Sequence, residues 1–330
     1  MKRIITLAKA AGLVAALAAG FAVTAVPPAS AEWPNDRPIR IMVGFGAGGG
    51  TDIVTRIIAQ QLQDVLHQSV VVENKPGAGG SLATDLVAKS PPDGYTATML
   101  STGHTVSAAM MKSLPFDPVK DFAPVATVAT SCFVIVTRKD LPADDVKGLV
   151  ALAKKDPGKL NFGTVGLGST QHMAGELFRQ MTGIEVKHIP YRGTPMVVQA
   201  LRNKEIDYAI ELVHAVKGQV DAGDLKLLAV GASERCPAVP NVPTIAESGV
   251  PGYAVSGWYG LVFPAGTPPA IVDKMHKALA EVLSRPAVRE QLSKVGAEVR
   301  LSSTQEFGAL LNDEVAKWKK VRDTAGLVAK

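Results

Sequence analysis

The stretch Gly44-Phe45-Gly46-Ala47-Gly48-Gly49-Gly50-Thr51-Asp52 decides the fold class of this chain. It follows a short apolar run, residues 39–43, and leads into an amphipathic segment that ends at Leu66. An apolar run, a turn rich in glycine and a segment of helical periodicity predict a β-strand, a tight loop and an α-helix in that order. The chain therefore opens with the first unit of an α/β fold.

The same alternation continues to the end of the sequence. Strands are predicted at residues 70–72, 96–100, 133–137, 160–164, 186–189, 206–210, 225–230 and 258–263. Helices are predicted at residues 52–66, 81–89, 145–154, 171–181, 195–202, 270–283, 287–295 and 304–325. Strands that alternate with helices form parallel β-α-β units with right-handed crossovers. Because the pattern restarts near residue 133 and the length exceeds one ordinary core, we expect two α/β lobes.

The first 31 residues are typical of a secretory signal peptide. Three basic residues among the first nine precede an apolar stretch at 10–26, and Ala29-Ser30-Ala31 offers small residues at a cleavage site. A membrane anchor is the alternative, but glycines interrupt the apolar stretch, which is short for a span of about 20 residues. No cysteine follows this stretch, which excludes lipid attachment there. We therefore expect cleavage after Ala31 and a periplasmic location.

Charge and cysteine content narrow the function further. The chain has 35 basic and 30 acidic residues, a formal charge of +5, and three of the basic residues lie in the predicted signal peptide. No basic run occurs in the remainder, so nucleic acid is not an expected partner. Cys132 and Cys236 are the two cysteines of the sequence. An oxidising compartment permits a disulfide between them, but the sequence does not say whether they meet.

The glycine-rich loop also resembles a dinucleotide-binding fingerprint. Residues 44–49 match G-x-G-x-x-G after a strand, and Glu73 ends the next predicted strand. Two features argue against a nicotinamide cofactor: the predicted export, and the negative charge of Asp52 where a pyrophosphate would lie. Glycines that expose backbone N–H groups, followed by a helix N-terminus, equally suit a smaller anion. We interpret the loop as a site for a carboxylate.

A second loop, Gly166-Leu167-Gly168-Ser169-Thr170, also opens a predicted helix. Ligands of open α/β sheets lie beyond the carboxyl ends of the strands, so two facing lobes would place both loops on one cleft. Some roles stay open at this point. Ser169 and Thr170 can cap their helix or face a ligand. Asp52 likewise can cap its helix or accept a ligand's hydrogen bonds, and His104 can line the pocket or lie in a plain loop.

The sequence lacks the residue patterns that catalysis or metal binding would need. His172 and Glu176 lie one helical turn apart, but two ligand-type residues are too few for a metal site. The sequence contains no H-E-x-x-H, no G-x-S-x-G and no Walker lysine. We therefore predict a binding protein with no catalytic residue, no metal and no cofactor, and not an enzyme.

Many ordered blocks of the chain resemble those of the substrate-binding receptors of tripartite tricarboxylate transporters, known as Bug-type receptors. The resemblance spans nearly all of the chain after residue 31. The blocks are Trp33-Pro34-x-x-Arg37-Pro38-Ile39-Arg40, Gly48-Gly49-Gly50-Thr51-Asp52, Val72-Glu73-Asn74-Lys75-Pro76-Gly77-Ala78-Gly79-Gly80, Pro92-Asp93-Gly94-Tyr95, Pro118-Val119-Lys120-Asp121-Phe122-Ala123-Pro124-Val125, Gly168-Ser169-Thr170-Gln171-His172-x-Ala174-Gly175-Glu176, Pro190-Tyr191-Arg192-Gly193, Val242-Pro243-Thr244-x-Ala246-Glu247 and Gly260-Leu261-Val262-x-Pro264-Ala265-Gly266-Thr267-Pro268.

The resemblance implies a type II periplasmic-binding-protein fold, in which two α/β lobes are joined by crossing strands at a hinge. Lobe 1 would comprise residues 32–132 and 255–330, and lobe 2 residues 133–254. It also implies a monomer that captures a small organic acid and delivers it to the membrane subunits of a transporter. A membrane kinase that reads the loaded protein is the alternative partner.

The resemblance and the two loops together give a set of candidate ligand-binding residues. They are Phe45, Gly46, Ala47, Gly48, Gly49, Thr51, Asp52, Ser101, His104, Val165, Gly166, Ser169, Thr170, Tyr191 and Glu211. The resemblance implies that residues 45–52 and 165–170 hold ligand carboxylates, partly through ordered water.

The chain departs from the family pattern within these segments. Gly44 and Ala47 stand where the family usually has proline, and Val165 stands where it often has serine. Glu211 and Leu212 replace a usual Asp-Asn pair. These changes imply a more apolar pocket, so we expect a ligand with an apolar or aromatic body rather than a small polar dicarboxylate.

Overall fold

A computed structural model describes residues 33–328. The predicted signal peptide, residues 1–31, lies outside this range. Within the range, no helix combines the length and the apolar character that crossing a bilayer requires.

Ten strands of the described range are hydrogen-bonded into one sheet, in the order β2-β1-β3-β9-β4-β7-β5-β6, with β8 and β10 both paired to β4. The strands are β1 (Ile39–Val43), β2 (Val70–Asn74), β3 (Thr96–Ser101), β4 (Phe122–Arg138), β5 (Asn161–Thr164), β6 (Lys187–Pro190), β7 (Tyr208–Leu212), β8 (Leu225–Val230), β9 (Ser256–Pro264) and β10 (Ala297–Val299). The helices are α1 (Gly50–Leu66), α2 (Ser81–Ala88), α3 (Thr102–Met110), α4 (Val146–Lys155), α5 (Thr170–Thr182), α6 (Thr194–Arg202), α7 (Val213–Asp221), α8 (Pro269–Ser284), α9 (Pro286–Lys294) and α10 (Thr304–Thr324).

The long strand β4 divides the sheet into two regions. Residues 122–132 of β4 pair antiparallel with β9, whereas residues 133–138 pair antiparallel with β7 and β8. In the first region β1 pairs parallel with β2 and β3, and in the second β5 pairs parallel with β6 and β7. We call these the first and second sheet regions. Parallel pairing within each region confirms the predicted β-α-β units.

Each sheet region packs its helices over a separate apolar core. In the first, α1 buries Val54, Ile58 and Leu62 against β1 and β3. In the second, Phe162 and Phe178 lie in a cluster with strand residues of β4 and β7. Two helices depart from this division. Helix α3, which follows β3, contributes Val106, Ala109 and Met110 to the second core. Helix α10 contributes Phe307 and Leu311 to a cluster with β9 but Trp318 and Val321 to the second core, so both helices connect the two sheet regions.

A disulfide joins Cys132, in the middle of β4, to Cys236, with the two Cα atoms 6.2 Å apart. The sequence left this pairing open, because the two residues are separated by 104 positions. The bridge ties the segment that follows β8 back to the strand shared by both sheet regions.

Candidate functional site

A cavity of about 450 Å³ lies at the ends of five strands. The loops or helices that follow β1, β2, β3 and β5 contribute to its lining, as does Leu212 at the end of β7, and residues of β4 and β9 contribute the remainder. This is the position that ligands occupy in open α/β sheets, and the volume lies in the range of small-molecule sites, about 300–1,000 Å³. The structure thus brings the two glycine loops onto one cavity, as the sequence predicts.

A larger hollow of about 650 Å³ lies elsewhere, on the surface of the second sheet region. Three of its four basic side chains are paired with acids: Arg138 with Asp140 and Asp207, Lys204 with Asp140, and Arg202 with Asp224. Because most of this positive charge is neutralised within the protein, the hollow is a weaker candidate than the cavity for binding an anion.

Three helix N-termini open onto the cavity. The first residues of α1, α3 and α5 line it, together with the residue that precedes each helix: Gly49, Gly50, Thr51, Ser101, Thr102, Gly103, Ser169, Thr170 and Gln171. A helix N-terminus carries unsatisfied N–H groups and about half a positive charge. All residues in the lining are uncharged at neutral pH. The positive potential of the cavity therefore comes from backbone groups.

The N-termini of α1 and α3 are not capped by their own side chains. At the N-cap positions Gly49 has no side chain, and the side chain of Ser101 accepts no hydrogen bond from a first-turn N–H group. The hydroxyls of Thr51 and Ser101 have no hydrogen-bond partner within residues 33–328, whereas Thr102 bonds to β9 at both Ser256 and Trp258. These two helix starts are open to a ligand.

The loop before α5 and part of the N-terminus of this helix are satisfied within the protein. The Ser169 hydroxyl accepts the N–H of His172 at 3.1 Å and donates to the carbonyl of Gly166 at 2.8 Å. The N–H of Gly168 donates to Nδ1 of His172 at 3.1 Å, and that of Gly166 to the hydroxyl of Thr164 at 3.3 Å. Ser169 is therefore a helix cap, and the second loop presents fewer free donors than the first.

The carboxylate of Asp52 shapes the first loop. It accepts the N–H of Gly48 at 2.8 Å, Nε of Arg56 at 3.0 Å and Nδ2 of Asn74 at 2.9 Å. Burial alone would raise the pKa of this carboxyl, but hydrogen bonds from Arg56, Gly48 and Asn74 outweigh it and lower the pKa below its usual value. Asn74 also donates to the carbonyl of Phe45 at 3.0 Å. Asp52 thus holds the loop in place.

Close backbone packing fixes the start of the same loop. A Cβ atom on Gly44 would lie 2.5 Å from Cα of Gly80, so no other residue fits there without a shift of the backbone. Gly48 has a φ of 79°, in the left-handed region that favours glycine. The ring of Phe45 packs beside Gly80 and Gly103.

The walls between the helix starts are apolar. Phe45, Phe133, Val165, Leu212 and Trp258 line the cavity. Trp258 is 3% exposed, and its indole Nε1 has no hydrogen-bond partner within the described residues. The ring packs against Phe307, with 5.7 Å between the ring centroids, and its buried N–H is not accessible from the cavity. The apolar wall that the sequence predicts from Leu212 is present.

The structure brings only part of the predicted site onto the cavity. Eight of the candidates line it: Phe45, Gly49, Thr51, Ser101, Val165, Gly166, Ser169 and Thr170. Gly46, Ala47 and Gly48 are exposed at the tip of the first loop and do not line it. Asp52, His104, Tyr191 and Glu211 lie behind the lining, so any effect they have on a ligand is indirect.

His104 differs most from the expected position. Its ring is buried, stacks on Phe116, and bonds through Nε2 to the carbonyl of Pro118 at 2.8 Å. Burial lowers the pKa of His104 to about 4 despite that bond, so the ring is neutral at physiological pH. Tyr191 packs against the apolar cluster of the second sheet region. The end of β3 does reach the cavity, as the sequence suggested, but the residues that line it there include Ser101 and Gly103 and not His104.

Glu211 is a buried carboxyl that is separated from the cavity by the side chain of Gln171. It is fully buried, and its Oε2 accepts the hydroxyl of Thr194 at 3.0 Å and Nε2 of Gln171 at 3.4 Å. Its Oε1 has no partner among residues 33–328. Burial raises the pKa of Glu211 to about 7, although these hydrogen bonds oppose the rise. Glu211 therefore reaches the cavity only through Gln171.

Four further lining residues, Gly50, Leu167, Gly168 and Leu212, lie in segments that the sequence analysis assigned to the pocket without naming them among the candidate contacts. Other lining residues escaped the sequence reasoning: Gly79, Thr102, Gly103, Ser107, Phe133, Gln171, Gly257, Trp258 and Tyr259. The members from β4 and β9 could not be found this way, because their position depends on how two distant strands cross.

Comparison with known proteins identifies the family. Residues 54–327 match the tripartite tricarboxylate transporter family receptor. The chain therefore belongs to this receptor family. BugT of Bordetella pertussis is 36% identical over 296 residues, which cover 89% of this chain and 91% of that protein. Receptors of this kind bind solutes and are not enzymes, which confirms the prediction made from the sequence.

Solved structures show the same fold. The periplasmic binding protein BugD is 32% identical, with a TM-score of 0.75, over 89% of this chain and 99% of that one. Rpa4515 of R. palustris, solved with adipate, is 35% identical, with a TM-score of 0.78, over 89% and 99% of the two chains. These matches confirm the periplasmic-binding-protein fold that the resemblance implied.

Proposed function

We propose that this receptor captures a small organic carboxylate with an apolar or aromatic body in the cavity between its two sheet regions. The observation that carries the proposal is the convergence of three helix N-termini on a cavity with uncharged lining. Such a site attracts an anion without an arginine. The apolar walls suit a ligand body that is not polar throughout, and the solved relative with adipate supports a carboxylate as the anion.

The available contacts are sufficient for useful affinity. A dissociation constant of 1 μM corresponds to about −8 kcal/mol. Hydrogen bonds to a charged group contribute about 1.5–3 kcal/mol each, so four or five of them cover this value and part of the cost of association. The open starts of α1 and α3, with the hydroxyls of Thr51 and Ser101, supply donors of this number.

Membership of this receptor family supports a proposal for the biological setting. We propose export to the periplasm with cleavage after Ala31, binding as a monomer, and delivery of the acid to the membrane subunits of a tripartite tricarboxylate transporter. The proposed lobes are residues 32–132 with 255–330, and residues 133–254. Closure would occur about β4 and β9, the strands that connect the two sheet regions.

A thermal-shift panel tests the binding proposal. The protein is unfolded and refolded to remove bound ligand and is then heated with aliphatic and aromatic acids. An acid at a hundred times its dissociation constant adds about 2.7 kcal/mol of stability, which raises the melting temperature by roughly 5 °C.

The matched control for each acid is its neutral amide, which keeps the size but removes the charge. We expect the acid to raise the melting temperature and the amide to leave it unchanged. A broad panel without any shift, or equal shifts for acids and amides, contradicts the proposal.

A further inference from the structure

The two ends of the cavity differ in what they offer a ligand. We call the starts of α1 and α3 the donor end, and the start of α5 with Gln171 the acceptor end. At the donor end the first-turn N–H groups lack side-chain caps, and the hydroxyls of Thr51 and Ser101 have no hydrogen-bond partner within the described residues. At the acceptor end Ser169 already caps the N–H of His172, and the Thr170 hydroxyl is the side-chain donor that remains. The donor end therefore offers an anion more free donors than the acceptor end does.

The side chain of Gln171 makes the acceptor end unfavourable for a second carboxylate. Its Nε2 donates to Oε2 of Glu211 at 3.4 Å. That oxygen also accepts from Thr194, so the amide nitrogen is the atom of Gln171 that fits against it. The carbonyl oxygen of Gln171 is left for a ligand in the cavity, beside the Thr170 hydroxyl, which can donate or accept. An amide oxygen accepts hydrogen bonds and repels a carboxylate.

Glu211 adds to this repulsion from behind Gln171. It is fully buried, so little solvent screens its charge when it ionises. A ligand carboxylate at this end would lie one side chain away from it. The side chains that donate hydrogen bonds to Glu211, those of Thr194 and Gln171, are uncharged and do not neutralise it.

Asp52 does not create a matching repulsion at the donor end. Its charge is paired with Arg56 at 3.0 Å, and its oxygens are occupied by Gly48 and Asn74 as well. The donor end thus combines open backbone donors with a neutralised acid.

We infer that this receptor selects acids with a single carboxylate, bound at the starts of α1 and α3, and places a neutral or hydrogen-bond-donating group against Gln171. The inference rests on the proposed function and sharpens it. It sets this chain apart from Rpa4515, which was solved with the dicarboxylate adipate. Glu211 acts as a specificity-determining residue through Gln171 and does not touch the ligand.

The test compares dicarboxylates with their monoamides, which have the same length and shape but one charge less. Dissociation constants are measured by calorimetry at pH 8, where Glu211 is ionised because its pKa is about 7. The pairs are adipate with adipamate, terephthalate with terephthalamate, and the corresponding pair on whichever carbon skeleton gives the largest thermal shift. We expect the monoamide to bind at least tenfold more tightly than the dicarboxylate in each pair that binds.

Two variants locate the source of the selectivity. Glu211→Gln removes the buried charge, and we expect it to reduce the monoamide preference at least threefold. Glu185→Gln is the matched control, because Glu185 is an exposed carboxylate of the same sheet region and does not line the cavity. It should leave the preference at the wild-type value.

The outcomes separate this inference from the proposed function. Equal or tighter binding of the dicarboxylates overturns the single-carboxylate inference but leaves carboxylate capture standing. A preference for monoamides that Glu211→Gln does not reduce overturns the role of Glu211. If no acid on any skeleton binds, the proposed function itself fails.

Discussion

At the scale of the residue, two buried carboxyl groups beside the same cavity behave in opposite ways. Asp52 is surrounded by donors, from Gly48, Arg56 and Asn74, and its pKa is lowered. Glu211 is fully buried with uncharged partners, and burial raises its pKa to about 7. Burial acts against both charges, so the number and charge of the hydrogen-bond donors decide which carboxyl stays ionised.

The raised pKa of Glu211 predicts a pH dependence of folding. The folded protein holds this proton more tightly than the unfolded chain, whose value is near 4.5. The resulting stabilisation is complete below pH 4.5 and is lost as the pH rises through about 7. Glu211→Gln has no proton to lose. It should therefore gain up to about 3 kcal/mol over the wild type between pH 4.5 and pH 8.

Urea denaturation at these two pH values measures the difference. Glu185→Gln, at an exposed position, should follow the wild type at both. Parallel pH profiles for Glu211→Gln and the wild type would show that the ionised carboxyl is not penalised in the fold.

The sequence could not assign the roles of these residues. For Asp52 it left helix capping and ligand contact open, and the structure shows loop anchoring by Asn74, which is 22 positions away. For Glu211 it suggested direct contact with the ligand, whereas Gln171 intervenes. Both roles depend on partners from other elements, which no local pattern reveals.

At the scale of the element, the first loop depends on the contact between Gly44 and Gly80. A Cβ atom at position 44 would lie 2.5 Å from Cα of Gly80, whereas one at position 46 would meet nothing within 4 Å. Gly44→Ala should therefore destabilise the fold by about 1–3 kcal/mol through overpacking, and should also weaken binding of any acid found by thermal shift. Gly46→Ala is the matched control.

Chemical denaturation and calorimetry of the two variants check this expectation. Gly46→Ala should match the wild type in stability to within about 0.5 kcal/mol. Equal stability of Gly44→Ala and Gly46→Ala would mean that the loop tolerates displacement at its start, and that close packing against Gly80 does not hold it.

Most elements could be predicted because each has a local pattern. The apolar runs, glycine loops and amphipathic segments gave the strands and helices to within one or two residues in most cases, including α1 and α8. The helices α3 and α7 and the short strand β10 were missed. The first turn of α3, Thr102-Gly103-His104-Thr105, consists of small and polar residues and lacks the apolar spacing that indicates a helix. Only packing against α10 and β9 shows why it is a helix.

At the scale of the whole molecule, β4 and α10 connect the two sheet regions. The sequence predicts only residues 133–137 of β4 as a strand, yet the strand runs from Phe122 to Arg138 and serves both regions. The α/β class and the two-lobed arrangement follow from repeated local units. The crossing of β4 with β9, which builds one wall of the cavity, and the disulfide of Cys132 both depend on contacts between distant segments.

The most direct test of the account is a crystal structure of the refolded protein with the acid that gives the largest thermal shift. We predict one acid molecule in the cavity, with its carboxylate oxygens about 3 Å from first-turn N–H groups of α1 and α3. The apolar body should lie between Phe133, Leu212 and Trp258. An acid bound outside this cavity, or inside it with the carboxylate against Gln171 and away from α1 and α3, would contradict the account.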